Sequence, residues 1–285
     1  MTEPRPSAGA GFSKERLVLI SAPNGARRTP DDHPAVPLTP RQLAECAAAL
    51  VEQSVSVLHL HVRDENFQHS LDVSRYRDTI EEVKSAVGDD LIIQVTTEAV
   101  GRYQPDEQMH TVRELRPEAV SLALRELCPD EAAETEAGRF FEWLVSENIW
   151  PQYILYSPQD VLRFDAIRRR GLFADEHPFA MLVLGQYATG REGTVADLEA
   201  MLEIADVSQF PWCVCCFGPN ENAAALSADA ATGHVRIGFE NNLVLLDGTI
   251  ADDNVALISQ FIESRPVGAR MLASADDVRE RWLAA

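Results

Sequence analysis

Positively charged residues are scarce in this sequence. Lys and Arg together number 25 in 285 residues, against 45 Asp and Glu, so the formal net charge is −20. A protein that binds nucleic acid through the phosphate backbone needs clustered cations to neutralise it. The charge balance therefore argues against a nucleic-acid partner. It also means that an anionic substrate must be held by local cations against the field of the whole protein.

Membrane and secretion signals are lacking as well. No apolar run approaches the roughly 20 residues that a transmembrane helix needs, and the first residues, MTEPRPSAGAGF, contain no apolar stretch typical of a signal peptide. An odd number of cysteines without zinc-finger spacing is typical of reduced, buried thiols. These absences predict a cytoplasmic protein. The five cysteines are Cys46, Cys128, Cys213, Cys215 and Cys216.

The chain also lacks a linker rich in Pro, Gly or Ser, so we expect a loose N-terminal arm over residues 1–15 and one domain over residues 16–285. Short apolar segments alternate with longer segments of helical period, which is typical of a parallel sheet covered on both faces. Eight βα units in about 270 residues predict an α/β protein with a (β/α)8 TIM barrel. The predicted strands are RLVLISAPN, VSVLHLHVR, LIIQVTT, EAVSLAL, IWPQYILY, FAMLVLG, WCVCCFG and HVRIGFE.

The structural alternative is an open, doubly wound sheet. Such a sheet normally carries the phosphate-binding pattern G-x-G-x-x-G after its first strand. The corresponding segment here, SAPNGARRT, lacks that pattern. The barrel is therefore the favoured fold, and in a barrel the chemistry takes place at the carboxyl ends of the strands.

Two histidines lie one residue apart in the second predicted strand, in the segment VLHLHVRD. Because successive side chains of a strand point to opposite faces, His59 and His61 project the same way, about 6–7 Å apart along the chain. Glu240 follows the eighth strand at its carboxyl end. Strands eight, one and two are near neighbours in a closed barrel, so the three side chains can converge.

Two imidazoles and a carboxylate, with a further position open to water or substrate, form a recognised catalytic zinc site. The same ligands suit non-haem iron(II), so the ion's identity stays open. The alternative is a pair of structural imidazoles whose hydrogen bonds are satisfied locally. Among the other histidines, His234 is expected near the opposite end of the barrel, whereas His33, His69 and His110 are expected to face solvent.

Several segments together resemble the β-keto acid cleavage enzymes, a family of TIM-barrel proteins. They are SAPNGARRT, VLHLHVRD, IIQVTTE, FAMLVLG and above all TGHVRIGFENN followed by GTIADDNVALI. The resemblance extends from about Leu17 to the last predicted helix. It implies that a β-keto acid and acetyl-CoA exchange acyl groups to give acetoacetate and a new acyl-CoA, with zinc as the metal. It further implies a homo-oligomer, either a dimer or a tetramer.

The resemblance also implies roles for individual residues. His59, His61 and Glu240 match the metal ligands, and Arg236 matches the catalytic arginine. A fixed cation such as Arg236 stabilises negative charge that develops on oxygen in a tetrahedral intermediate. The residues expected to contact the substrate are Asn24, Arg27, Thr96 and Thr97.

Two departures from the family pattern concern the catalytic residues. The family usually has an aspartate after the metal-binding glutamate, whereas this chain has Asn241, and an amide cannot act as a carboxylate base. The motif after the third strand is usually Thr-Gly-Gly, whereas this chain has Thr97-Glu98-Ala99. We therefore expect Glu98 to act as a general base or substrate contact, unless it is a loop carboxylate that faces solvent or caps a helix. Arg236, Glu98 and Asn241 are the candidate catalytic residues.

Two further departures concern the far end of the substrate. Where the family carries glutamates in a Pro-Glu-x-Glu pattern, residues 151–154 read PQYI. A loop position that is acidic in the members that cleave 3-keto-5-aminohexanoate is Arg27 in this chain. Arg27 and Arg28 favour a substrate whose far end is anionic or uncharged, so we do not expect an ammonium-bearing substrate.

Two other functions stay open from the sequence. A metal-dependent hydrolase or lyase could act on a small carboxylate without CoA, using the same site. A barrel that has lost the aspartate could instead keep the metal and only bind a ligand. No residue is assigned to CoA, because the chain carries no nucleotide-binding signature.

Overall fold

Eight parallel strands close into a barrel in the computed structural model, which describes residues 12, 14–175, 177–186 and 190–283. The predicted fold class is confirmed, whereas most of the predicted N-terminal arm lies outside the described residues. The barrel strands are β2 (Leu19–Ser21), β3 (Val57–Leu60), β6 (Ile92–Thr96), β7 (Ala119–Ala123), β8 (Trp150–Leu155), β9 (Phe179–Leu184), β10 (Trp212–Cys216) and β11 (His234–Ile237). Short pairs outside the barrel are β1 (Arg16–Leu17) with β12 (Met271–Leu272), and β4 (Val62–Arg63) with β5 (His69–Ser70).

Helices follow the barrel strands, and their ends match local sequence signals. Thr39 forms a capping box with Gln42 at the start of the first helix, and Asp72 caps the second, which ends at Gly88. No helix among the described residues is long and apolar enough to cross a membrane. The helices are α1 (Pro40–Glu52), α2 (Val73–Val87), α3 (Pro105–Leu115), α4 (Leu124–Leu127), α5 (Glu134–Ser146), α6 (Pro158–Arg169), α7 (Val195–Glu203), α8 (Glu221–Ala230), α9 (Asn254–Ser264) and α10 (Ala275–Trp282).

The barrel has one apolar core outside its wall and another inside it. The outer core packs the helices against outward-facing side chains such as Leu19 and Leu58, while the inner core contains Ile20 and Val57 from the same strands. This alternation follows from the two-residue period of a strand. Toward the carboxyl ends of the strands the inward-facing side chains become polar, which places the chemistry there.

Helix α10 covers the opposite end of the barrel. Trp282 stacks on Trp150 with ring centroids 4.7 Å apart and meets the ring of Phe179 edge to face. His234 lies in the same cluster, as expected, and its Nδ1 accepts a hydrogen bond from the Val18 amide. This cluster of aromatic rings closes the end of the barrel that carries no candidate catalytic group. Its packing therefore contributes to the stability of the fold.

We therefore expect Trp282→Ala to lower the free energy of unfolding by about 3–5 kcal/mol, because it removes a buried aromatic side chain and leaves a cavity. Denaturant unfolding measures the change. Leu246→Ala is the control, because that side chain is 60% exposed and its loss should change stability by only about 0.5 kcal/mol. Equal effects of the two substitutions would contradict the assignment.

Candidate functional site

His59 and His61 meet at the carboxyl end of β3. His59 belongs to the strand, and His61 is the residue between β3 and β4. Their Nε2 atoms lie 3.0 Å apart, and both side chains are buried. The histidine pair therefore projects to one side of the chain, as expected from its spacing.

Glu240 approaches the pair from the neighbouring side of the barrel mouth. Its Oε2 atom lies 3.5 Å from Nε2 of His59 and 3.3 Å from Nε2 of His61. Four tetrahedral ligands at zinc bond lengths of about 2.0–2.1 Å are separated from one another by roughly 3.3 Å. Among the described residues, these three form the group of His, Cys, Asp or Glu side chains whose geometry could hold a metal ion. The predicted convergence is therefore present.

The backbone around Glu240 is held tightly. Its amide donates to the Ala22 carbonyl at the end of β2, and the preceding Phe239 amide donates to Asn254 Oδ1. Gly25 faces the Glu240 side chain, with φ of 59°. A Cβ at Gly25 would lie 2.5 Å from Cγ of Glu240, so glycine is needed there to leave room for the carboxylate.

The loop that carries Gly25 is tied to the histidine segment. Arg63, two residues after His61, donates to the carbonyls of Asn24 and Gly25. Asn24 in turn donates from Nδ2 to the His61 carbonyl, 2.9 Å away. The predicted residue Asn24 thus holds the backbone of a candidate ligand and does not line the cavity described below.

The protonation states of His59, His61 and Glu240 are suited to binding a metal cation. Burial lowers the pKa of both His59 and His61 to about 4, although Glu240 opposes the shift. Burial alone would raise the pKa of Glu240, but Arg236 and the two imidazoles outweigh it and hold that pKa well below its usual range. At neutral pH the site therefore has two neutral imidazoles and one ionised carboxylate, the states in which these groups bind a metal.

Hydrogen bonding also turns a lone pair inward. His59 Nδ1 lies 2.8 Å from Gln94 Oε1, and because an amide oxygen only accepts, Nδ1 carries the proton and Nε2 the lone pair. Oε2 of Glu240 is buried and faces Nε2 of both histidines. In this tautomer the Nε2 lone pair of His59 and the Glu240 carboxylate face the same point, an arrangement that a divalent cation would stabilise. The donor set fits zinc, and equally fits iron(II).

Arg236 supplies the positive charge beside the carboxylate. Its Nη2 atom donates to Glu240 Oε1 at 3.0 Å, to Asn241 Oδ1 at 2.9 Å and to the sulfur of Cys215 at 2.8 Å. The guanidinium is almost completely buried. Asn241 therefore accepts from the arginine through its amide oxygen, which an aspartate could also do.

The other side of the Asn241 amide meets a carboxylate. Nδ2 of Asn241 donates to Glu221 Oε1 at 3.0 Å, and the Gly238 amide donates to the same oxygen at 3.1 Å. Burial raises the pKa of Glu221 to about 8, although these hydrogen bonds oppose the shift. Glu221 is the buried first residue of α8.

A cavity of about 230 Å³ opens next to the three candidate ligands. Glu98, Thr96 and Arg27 line it together with Arg236. Burial raises the pKa of Glu98 to about 7, and the charge of Glu240 adds to the shift. A carboxyl group with this pKa is suited to accept and return protons near neutral pH.

The remaining predicted contacts lie elsewhere. The Thr97 hydroxyl donates to the Ser121 carbonyl, and the side chain is buried away from the cavity. Arg28, the neighbour of Arg27, donates to the Phe239 carbonyl and pairs with Asp32. The structure therefore brings Arg27 to the cavity, whereas Thr97 and Arg28 make structural contacts.

The expectation that His33 and His69 face solvent is wrong. His33 is buried edge-on against Phe239, and its Nδ1 accepts from the Ala35 amide. His69 is buried beside His61 because β5 folds back antiparallel on β4. The polar segment between β3 and α2 carries no sequence pattern that predicts this hairpin. Gln94 was also missed, although its alternation with Thr96 on β6 indicates an inward position.

The fold and the polar cluster define a TIM-barrel enzyme with its site at the carboxyl ends of the strands. The chain belongs to the β-keto acid cleavage enzyme family, whose model matches residues 16–282. A 3-keto-5-aminohexanoate cleavage enzyme from Fusobacterium nucleatum is 26% identical over 93% of this chain and 97% of its own length. A 3-oxoadipate:acetyl-CoA acetyltransferase from Cupriavidus necator is 26% identical over 85% of this chain and 86% of its own length.

Solved structures show the same fold. The binary complex of ObcA with oxaloacetate superposes with a TM-score of 0.70 at 14% sequence identity. The match covers 87% of this chain and 67% of the ObcA chain, and the apo structure of ObcA is matched over 65% of its length. The chain thus spans about two thirds of that larger protein, and the likeness supports the barrel alone.

The packing of Gly25 against Glu240 leads to a prediction. Gly25→Ala should weaken the binding of zinc roughly tenfold or more, because the new methyl group displaces the carboxylate. Competition with a chelator measures the affinity. Gly88→Ala is the matched control, because Gly88 has φ of 58° but nothing within 4 Å of the added Cβ. Equal loss of affinity in both variants would show that backbone strain, and not the contact with Glu240, is responsible.

Proposed function

We propose that this enzyme exchanges acyl groups between a β-keto acid and acetyl-CoA, with a zinc ion held by His59, His61 and Glu240. The observation that carries the proposal is the set of three ligand atoms that lie 3.0–3.5 Å apart and face one another. Family membership supports the β-keto acid, and the names of relatives such as the acetyltransferase of Cupriavidus necator support acetyl-CoA.

In this reaction the bond between the ketone carbon and C2 of the β-keto acid breaks. The carboxymethyl fragment joins the acetyl group to give acetoacetate, and the remaining acyl group joins the CoA sulfur. The bound metal would act as a Lewis acid toward substrate oxygen. Arg236 provides a fixed cation beside the same position, where it offsets negative charge that develops on oxygen.

Glu98 is the proposed general base. It lines the cavity with Arg236 and Glu240, and its raised pKa of about 7 suits removal of a proton from C2 of the substrate. Thr96 supports it, because the Thr96 hydroxyl oxygen accepts a hydrogen bond from the Glu98 amide at 3.1 Å. Asn241 cannot replace it as a base, so its role is to hold Arg236.

The cavity lining favours a substrate with an anionic or uncharged far end. Beyond Arg236 the lining contains the arginines Arg27 and Arg125, and the carboxylate of Glu126, which Gln108 and the Ala99 amide already bind. Ile154, Met181 and Val183 contribute an apolar wall. The acetyltransferase of Cupriavidus necator is named for 3-oxoadipate, a dicarboxylate.

The cytoplasmic location and the homo-oligomer, a dimer or a tetramer, stay predictions from the sequence.

A panel of β-keto acids with carboxylate, uncharged and ammonium ends tests the function. We expect acetoacetate to form only with acetyl-CoA, and kcat/KM to be roughly tenfold lower for the ammonium end, equivalent to about 1.4 kcal/mol, because Arg27 and Arg125 repel it. Elemental analysis of the same sample reports the metal.

Each other result of the panel would favour a different function or a different substrate. Product without acetyl-CoA would favour the hydrolase or lyase, and bound metal without any product would favour a binding protein. A preference for the ammonium end would contradict the assignment of the lining. Arg27→Gln is the matched variant, and it should reduce the discrimination between ends.

The role of Glu98 predicts a pH dependence. Only the ionised carboxylate accepts a proton, so kcat/KM should rise with pH up to about 7, where the pKa of Glu98 lies. Glu98→Gln should lower kcat by roughly 10²–10⁴-fold and abolish this acid limb. The control is Glu126→Gln in the same cavity, which should keep the limb, because Gln108 and the Ala99 amide already bind the Glu126 carboxylate. Unchanged turnover of Glu98→Gln with full metal content would exclude Glu98 as the base.

A further inference from the structure

His69 is the third histidine of the barrel mouth, and the sequence pattern gives it no role. It lies opposite Arg63 in the β4–β5 hairpin, and the turn of that hairpin is closed by the Asp64 carboxylate, which accepts from the amides of Asn66 and Gln68. The hairpin brings the ring of His69 to within 5.1 Å of the ring of His61, centroid to centroid. His69 is 4% exposed, so its hydrogen bonds are made to protein groups and not to bulk solvent.

One nitrogen of His69 has an unambiguous partner. Nε2 lies 2.9 Å from the backbone carbonyl oxygen of Glu98. A carbonyl oxygen only accepts, so His69 Nε2 carries a proton and donates it. In the neutral ring, Nδ1 then has a lone pair and accepts.

The accepting nitrogen of His69 faces His61. Nδ1 of His69 lies 3.4 Å from Nδ1 of His61, at the long end of the hydrogen-bond range. Because His69 Nδ1 has no proton, a hydrogen bond between the two rings requires the proton to lie on His61 Nδ1. The competing tautomer of His61 would direct its proton from Nε2 toward His59 Nε2, 3.0 Å away. With the proton on Nδ1, His61 Nε2 is left with its lone pair, and it lies 3.3 Å from the Glu240 carboxylate oxygen.

We propose that His69 is a positioning residue that fixes the tautomer of His61, so that the Nε2 lone pair of His61 faces the proposed metal ion. The inference rests on the proposed metal site. His69 does for His61 what Gln94 does for His59, since each accepts the Nδ1 proton of one candidate ligand. Its other hydrogen bond holds the main chain at Glu98, so one side chain orients both a ligand and the proposed base.

The tautomer can be read in the metal-free protein. Long-range ¹H–¹⁵N correlation spectra distinguish a histidine protonated at Nδ1 from one protonated at Nε2. We expect His61 to be protonated at Nδ1 and His69 at Nε2 in the wild-type chain. A His61 ring protonated at Nε2 would overturn the inference, whatever the metal content or activity of the enzyme.

Zinc affinity supplies the second readout. We expect His69→Leu to weaken zinc binding by about 10–100-fold, the range found when a partner of a metal-binding histidine is removed. His69→Gln keeps one acceptor and one donor, so it should restore much of the affinity. The matched control is His234→Leu, which removes a buried histidine at the other end of the barrel and should lower stability without changing the affinity for zinc.

The outcomes distinguish a failure of the role of His69 from a failure of the metal site. If the wild-type chain binds zinc and His69→Leu binds it equally well, the role of His69 is wrong and the metal site stands. If the wild-type chain binds no divalent metal, the metal site and the role of His69 both fail. If His69→Leu does not fold, the spectra of the wild-type chain and the zinc affinity of His69→Gln still show whether His69 fixes the tautomer of His61.

Discussion

The structure depends on one electrostatic constraint, the approach of three electron-pair donors to within 3.5 Å of one another in a buried position. A cation between these atoms would offset the repulsion of their electron pairs. Burial lowers the pKa of both His59 and His61, which disfavours the charged imidazolium forms at this position. The rest of the mouth supports the arrangement: β3 supplies one histidine, the β3–β4 junction the other, and the turn after β11 the carboxylate.

The barrel makes this convergence possible because its closure joins distant segments. β2 lies between β3 and β11, and the loop after β2 therefore borders both histidines and Glu240. Gly25 in that loop leaves space for the carboxylate, and Arg63 fixes the loop by binding its carbonyls. Arg236 on β11 then compensates the negative charge of Glu240 by donating a hydrogen bond to its carboxylate. In a chain of net charge −20, a buried guanidinium at this point also gives an anionic substrate a favourable local field.

The sequence predicted the parts of this arrangement that depend on strand periodicity. Eight apolar segments became eight barrel strands, and the spacing of His59 and His61 correctly placed both on one side of the chain. Contacts made by non-local folding were not predictable in this way. His69 was assigned to solvent because the polar segment around it gives no strand pattern, yet the hairpin buries it. Glu221 begins a helix and looks like an ordinary first-turn carboxylate, so its contact with Asn241 could only be found from the tertiary structure.

Asn241 is best understood together with Glu221. The amide nitrogen of Asn241 lies 3.0 Å from a Glu221 oxygen, and an aspartate at position 241 would bring a second carboxylate to that distance. Two carboxylates so close cannot both ionise at neutral pH, and burial already raises the pKa of Glu221 to about 8. The amide removes this conflict and still accepts from Arg236, but it cannot take up a proton. In the proposed reaction, proton transfer is therefore assigned to another wall of the cavity, where the pKa of the Glu98 carboxyl group after β6 is raised to about 7. In the proposed function, the amide at position 241 and the carboxyl group of Glu98 thus complement each other: the first holds Arg236 without taking up a proton, and the second takes up the proton.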